Sequence, residues 1–241
     1  MIGCDCATCR SSDLRDRRLR PSIYIELPDG TDVLVDASPD LRAQALACQF
    51  SRVDAILLTH AHADHVLGLD DVRGFNVRMR RPIPCYGDAQ TMGAVRRMFA
   101  YIFDPGTPRG GGIPQLVLHT LVGPFSLGRA TFVPVPVYHG KSLILGYRVG
   151  DFAYLTDCSA IPDGSWPLLD GLQVLVLDAL RESPHPTHLS LSQAVDVAGQ
   201  VGAARAYFTH ICHDLPHAAT CARLPEHVSL AYDGLVIDVD S

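Results

Sequence analysis

The sequence predicts an α+β fold in which two sheets are sandwiched between outer helices. Two patterns predict it: short apolar strands that cluster into hairpins, and strands that alternate with helices along the chain. The composition permits it, because 241 residues with 47% hydrophobic and 19% charged residues can build a core and carry too little charge to stay disordered. No Ser/Gly-rich or charged linker divides the chain and no repeat recurs in it, so residues 1–241 are expected to form a single domain.

A cysteine-rich start leads into an Arg/Asp-rich stretch over 10–20. Residues 22–27 and 31–36 then read as strands joined by the turn Pro28-Asp29-Gly30, a β-hairpin. The spacing over 40–50 is helical, and 55–59 is a short apolar run of the kind buried on both faces. Residues 64–77 read as one helix with Val66, Leu69 and Val72 inward, followed by a strand over 83–86 that Gly87 ends. The segment 105–114 is rich in Gly and Pro and is expected to be an exposed loop. Strands follow near 131–137, 143–149, 152–156 and 173–177, then a helix over 190–201, a strand over 204–209 and a last strand over 235–239.

Charge and cysteine content narrow the function. Twenty basic against 26 acidic residues give a formal charge of −6, and Lys141 is the sole lysine, so a general nucleic-acid-binding surface is disfavoured. Apolar runs such as 174–177 fall far short of the roughly 20 residues that a membrane helix needs. The start Met1-Ile2-Gly3-Cys4 has neither the basic opening nor the apolar stretch of a secretory signal. The expectation is a cytoplasmic protein with reduced cysteines.

Thr59-His60-Ala61-His62-Ala63-Asp64-His65 is the most informative segment. A buried strand ends at Thr59, and metal-competent side chains begin in the turn that follows. His60 and His62, two apart, can project to one side, while Asp64 and His65 open the next helix and can point to a second position. Four ligand-type side chains in six residues suit two adjacent metals; the alternative is a polar turn with coincidental histidines. His139, Asp157 and His210 also follow expected strands, so strand ends converge on one edge.

Together these residues resemble the metallo-β-lactamase superfamily, an αββα four-layer sandwich, over almost the whole chain. The resemblance implies that His60, His62 and His139 hold one metal, that Asp64, His65 and His210 hold the other, and that Asp157 bridges them. Two such ions about 3.5–4 Å apart can share a water, lower its pKa to give an attacking hydroxide, and polarise ester or phosphodiester oxygens. A carboxylate at the bridge offsets the repulsion of two dications. A cysteine there would resemble one group of true β-lactamases. His62 stands where the di-iron redox branch carries glutamate, so hydrolysis is expected rather than electron transfer.

Cys4-x-Cys6-x-x-Cys9 supplies three soft ligands that, in a reducing compartment, suit a structural zinc better than a disulfide. His213 is the best fourth ligand, since one loop then serves both His210 and the knuckle; Cys212 is the alternative. Cys48, Cys85, Cys158 and Cys221 are expected to be packing cysteines. A knuckle ahead of the histidine motif is similar to the cyclic-phosphate phosphodiesterase family (PhnP-like) of the carbon–phosphorus lyase pathway. Ile83-Pro-Cys-Tyr-Gly87, His139-x-Lys141, Leu155-Thr-Asp157, Thr209-His-Ile-x-His213 and Tyr232-Asp-Gly234 match it in the same order.

That resemblance implies hydrolysis of 5-phosphoribosyl 1,2-cyclic phosphate to the 1,5-bisphosphate, with Mn²⁺, Zn²⁺ or Fe²⁺ at the dinuclear site and Zn²⁺ in the knuckle. It assigns proton donation to His188, with His185 as fallback; catalytic roles are thus expected of His188 and Asp64. The other roles open to His188 are capping the helix from Ser190 or bonding Asp178. Arg18, Arg20, Arg109 or Lys141 could bind a second phosphate, or be solvated surface charges. The substrate is expected to be a small phosphate ester, and a homodimer follows from the resemblance alone.

The chain departs from the family in two places. Members begin with a strand and a glycine-rich turn before the knuckle, whereas Met1 stands almost on Cys4, so the sandwich is expected to lack its first strand here, the true start lying upstream or the stretch having been lost. The segment Asp178-Ala-Leu-Arg-Glu-Ser-Pro184 resembles a broader group of bacterial hydrolases. Other hydrolases of the fold, namely a lactonase, a thioesterase or a tRNA-processing nuclease, are the alternatives. A non-enzymatic role like that of the pyrroloquinoline-quinone biosynthesis B family ranks below them, because the histidine motif here is intact.

Overall fold

The computed structural model describes residues 1–108, 110 and 112–239. The chain forms two compact units, Arg20–Thr131 and the combination of Met1–Leu19 with Phe132–Ser241. The sheet of the first unit has the order β1-β2-β3-β4-β5. The expected hairpin forms from β1 (Ile23–Glu26) and β2 (Asp32–Val35), with Ile23 opposite Val35. Three strands then add in parallel: β3 (Ala55–Leu57), β4 (Ile83–Gly87) and β5 (Leu116–Thr120). The carboxyl ends of β2 to β5 therefore share one edge, the edge at which parallel sheets place ligands.

Helices α1 (Leu41–Cys48), α2 (Ala63–Val66), α3 (Arg73–Met79), α4 (Ala89–Met98) and α5 (Ala100–Phe103) accompany this sheet. Leu34, Ile56, Leu58, Ile83 and Cys85 form a core with Leu41, Val66, Leu69, Val72 and Val95. Each such Leu, Ile or Val contributes about 1.5–3 kcal/mol by burial. The helix expected over 64–77 is instead broken into α2, a 3₁₀ turn at Leu67–Asp70 and α3. Gly68 explains the break: its N–H donates to the Ala37 carbonyl at 2.9 Å, and a Cβ there would lie 1.9 Å from the Ser38 oxygen. The inward positions hold despite it, because Val66, Leu69 and Val72 are all fully buried.

The second sheet has the order β12-β11-β10-β9-β8-β7-β6. After β6 (Phe125–Leu127), β7 (Ala130–His139), β8 (Ser142–Val149) and β9 (Phe152–Leu155) form an antiparallel meander. β10 (Val174–Asp178), β11 (Arg205–Thr209) and β12 (Val228–Leu230) continue it in parallel. Helix α6 (Leu191–Val201) starts at Ser190, whose hydroxyl and Gln193 form a capping box, and ends at Gly202 in the left-handed region. Its Ala194 and Ala198 pack on Leu175, Leu177 and Phe208. A short α7 (His217–Cys221) precedes β12.

The strand expected over 235–239 does not form. β12 lies at the sheet edge instead, and Leu235 to Val239 have no ladder partner. An alternating pattern makes a strand only where an edge accepts it. The sequence reading also passed over β5, β6, α4 and α5; α4 begins at Asp88, whose carboxylate accepts from Thr91 N–H at 2.6 Å. Among the described residues no helix is long and apolar enough to cross a membrane.

Candidate metal centre

On the first unit, the end of β3 delivers the histidine segment. Leu58 N–H still donates to the Tyr86 carbonyl at 2.8 Å, and the chain leaves the sheet at Thr59. Asp36, directly after β2, accepts from Thr59 N–H at 2.8 Å and from the Thr59 hydroxyl at 2.8 Å. Its Oδ2 also lies 2.7 Å from His65 Nδ1, which turns His65 Nε2 toward Asp64 Oδ2 at 3.5 Å. His60 Nε2 approaches His62 Nδ1 at 2.9 Å, and the His60 and His65 rings are 4.3 Å apart. His60 and His65 are buried and His62 is exposed. Four donors thus meet at one strand edge, and the deepest imidazole is oriented by a carboxylate, as in metal-ligating histidines.

The second unit brings together His139, Asp157, His188 and His210. Asp157, 2% exposed, accepts from the Thr156 hydroxyl at 2.9 Å. Its carboxylate lies 3.7 Å from His139 Nε2, 3.4 Å from His210 Nε2 and 3.9 Å from His188 Nε2. His139 Nδ1 bonds the Thr187 carbonyl at 2.7 Å, so its Nε2 is the atom turned to Asp157. Burial is the largest influence on His139 and pulls its pKa down, favouring the neutral ring that a metal requires. His188 Nδ1 pairs with Asp178 Oδ1 at 3.1 Å, and Asp178 Oδ2 accepts from Leu189 N–H at 2.9 Å. Ser190, not His188, caps α6. His185 is half-buried on the same loop, its ring 5.1 Å from that of His188.

Five non-glycine residues among those described have positive φ, and three of them, Asp36, Asp157 and His210, stand at these strand ends. Asp and His tolerate the left-handed region better than branched residues do. The conformation costs on the order of 1 kcal/mol or more each, and it turns the side chain sharply at the edge. The donors in both units are nitrogen and oxygen only, buried or half-buried apart from His62, and held from behind by Asp36, Thr187 and Asp178. Such a set fits divalent Zn²⁺, Mn²⁺ or Fe²⁺.

Cys4, Cys6, Cys9 and His213 form a separate cluster in the second unit, with one ligand atom from each within 4.8 Å of the others. Cys4 Sγ and Cys6 Sγ are both 3.3 Å from His213 Nδ1. The Cys9 N–H and then the His213 ring lower the Cys6 thiol to about 6, toward the thiolate that zinc binds. Cys212 Sγ accepts instead from Asp214 N–H at 3.4 Å. Replacing Cys6 with serine should abolish zinc binding at this cluster and lower the melting temperature by about 6 °C, the equivalent of about 2 kcal/mol in a chain of this size. Calorimetry and metal analysis check this, and an unchanged melting point with unchanged zinc would refute it.

Cys85 and Cys158 are packed inside, and Cys221 is half-buried with Sγ 3.8 Å from His217 Nδ1. Cys48 is exposed, contrary to the packing role expected of it: it is the last residue of α1, at the opposite end from the buried Leu41. Of the bases expected to bind a second phosphate or to be solvated, Arg18 needs correction. Arg18 is neither solvated nor open to a ligand: its side chain is 13% exposed and donates to main-chain carbonyls. Arg20 pairs with Asp40 at 3.1 Å, Lys141 is exposed, and Arg109 lies outside the described residues. The sequence reading missed the orienting role of Asp36 and left that of Asp178 as an alternative. Each is an acid standing directly at the end of an apolar strand, and that position is the available signal.

Comparison with known proteins agrees with this geometry. A family model described as a beta-lactamase superfamily domain matches residues 31–211. A crystal structure of a new diphosphatase from the PhnP family superposes with a TM-score of 0.91 at 46% identity, covering 99% of this chain and 92% of that one. An octanoyltransferase of Porphyromonas gingivalis is 36% identical over 245 residues, 99% of this chain but 49% of that protein, so the chain spans about half of this relative. Zn²⁺-bound PqqB from Methylobacterium extorquens, at 19% identity and a TM-score of 0.74 over 99% of this chain and 95% of that one, shares the fold. The chain therefore belongs to the metallo-β-lactamase superfamily and, within it, to the PhnP family, with an α+β fold whose mixed sheets are flanked by helices.

Proposed function

We propose that His60, His62, Asp64, His65, His139, Asp157 and His210 are the ligands of two divalent ions. The enzyme so assembled hydrolyses a small phosphodiester such as 5-phosphoribosyl 1,2-cyclic phosphate. The observation that carries this reading is the buried Asp157 carboxylate, surrounded by imidazole nitrogens at 3.4–3.9 Å. A carboxylate in that position suits a bridge between dications. Bound ions of this kind lower the pKa of a water and polarise phosphoryl oxygens.

The chain's own residues do the rest. Asp36 fixes the tautomer of His65 through Nδ1, and the Thr187 carbonyl does the same for His139. His188 supplies the proton that the departing alkoxide needs, from Nε2. Asp178, at 3.1 Å from Nδ1, steadies the ring in its charged form. Zinc in the Cys4, Cys6, Cys9 and His213 cluster has a structural role.

A second reading, cleavage of a phosphoanhydride, is favoured by the diphosphatase that is 46% identical. ³¹P NMR of the Mn²⁺-supplemented protein separates the two. We expect the cyclic phosphate to open many times faster than bis(p-nitrophenyl) phosphate, giving the 1,5-bisphosphate. Cleavage of a nucleoside diphosphate ester with the cyclic ester untouched would replace the first reading by the second. Failure with every phosphate substrate, despite two bound metals, would sink both.

A further inference from the structure

We propose that Arg18 is a positioning residue that sets the loop between His210 and His213, and so couples metal binding at the two clusters. The loop leaves β11 at His210, passes His213 and reaches α7 at His217, so within four residues of the sheet it has contributed to both clusters. It is too irregular to hold itself. Arg18 Nη1 donates to the Cys212 carbonyl at 2.6 Å and Nη2 to the Leu215 carbonyl at 2.5 Å, one on each side of His213. Asp16 completes the clamp: its Oδ1 accepts from Arg18 Nη2 at 3.0 Å and from His217 N–H at 2.8 Å. On the opposite side, Cys212 N–H is tied to the Leu180 carbonyl at 2.8 Å.

The chemistry favours a positioning role over a surface one. A guanidinium 13% exposed is costly to bury, and Asp16, 6% exposed, offsets the cost while holding its fork in one plane. The planar fork reaches two carbonyls three residues apart, a geometry that a lysine ammonium does not reproduce. His210 sits at φ +56, a strained setting that persists only where its surroundings enforce it. If the loop relaxes, His210 and His213 lose their places together.

The inference rests on the reading of His210 and His213 as ligands, and its test therefore reads metal binding rather than turnover. Two quantities are measured on the full-length protein: the rate of zinc release from the knuckle to a colorimetric chelator, and Mn²⁺ affinity by electron paramagnetic resonance of the free ion. Arg18→Met should raise the first and weaken the second, each by about tenfold, the usual effect of removing a residue that orients a metal ligand. Arg18→Lys should recover little of either.

Arg148→Met is the control. Arg148 Nη1 also donates to two carbonyls, those of Leu168 at 2.8 Å and Asp170 at 2.9 Å, in the same unit but on another loop. It should lower the melting temperature and leave both metal readouts at their wild-type values. If Arg18→Met does not fold, Asp16→Asn, which keeps the side-chain shape, should shift both readouts in the same direction by a smaller factor. Wild-type values in the Arg18 and Asp16 variants, equal shifts in Arg148→Met, or a wild-type protein without knuckle zinc would each overturn the proposal. A wild type that binds knuckle zinc but no Mn²⁺ would overturn the coupling along with the dinuclear reading. Loss of the phosphodiester reading alone would leave both metal readouts, and hence this proposal, standing.

Discussion

His62→Ala and Asp157→Asn are each expected to cut turnover by more than about 100-fold while leaving the protein folded, exceeding the loss that follows removal of a residue behind a ligand. His62 is exposed, and its main-chain carbonyl accepts from His65 N–H at 3.0 Å, a bond that alanine keeps. Its removal should change stability by no more than about 0.5 kcal/mol. Asp157 is different, because it is buried and has φ +53. Asparagine tolerates that backbone and can still accept from the Thr156 hydroxyl, so the substitution removes chiefly the negative charge that two dications need between them. Metal content, circular dichroism and turnover measured on the same samples test this. His62→Ala protein that carries two metals and turns over at the wild-type rate would sink the proposed site.

What the sequence shows of the candidate site it shows for local reasons. His60, His62, Asp64 and His65 lie within one turn, where spacing alone says which side chains can meet. His139, Asp157 and His210 were legible as candidates because each follows an apolar run: Asp157 and His210 follow strands of the parallel run β9 to β11, and β7, which ends at His139, points the same way as β9 across the antiparallel β8. Gly68 shows where spacing fails. The helix breaks there because the Gly68 N–H is turned to the Ala37 carbonyl, and only glycine leaves room for the Ser38 carbonyl beside it, contacts across some thirty residues that no helical pattern contains. Arg18 fails in the same way, since its partners at Cys212 and Leu215 lie some two hundred positions on, and in sequence it looks like any surface arginine. The strand expected over 235–239 and the packing expected of Cys48 erred by reading burial from composition, when burial depends on which edge or face the fold has already filled.

Asp36 carries the largest expected effect on stability. Its carboxylate, fully buried, accepts from three donors: Thr59 N–H, the Thr59 hydroxyl and His65 Nδ1. Asp36→Ala removes the acceptor of all three in a place that water does not reach, and each buried donor so deprived costs about 1–3 kcal/mol. Alanine at φ +62 adds roughly 1 kcal/mol of backbone strain. These contributions overlap, so the expected total is about 3–5 kcal/mol, the size of breaking a buried pair. For a chain of this length that is a fall of about 10 °C in melting temperature. Asp36→Asn should lose less, because its amide oxygen still accepts and asparagine suits the left-handed backbone. The loss should appear in metal-free protein and grow when Mn²⁺ is added, since a loosened His65 would leave the variant with less stabilisation from the ion. Equal melting points for wild type and Asp36→Ala would mean that the Thr59 to His65 turn is held by its own packing, and that Asp36 does not orient His65.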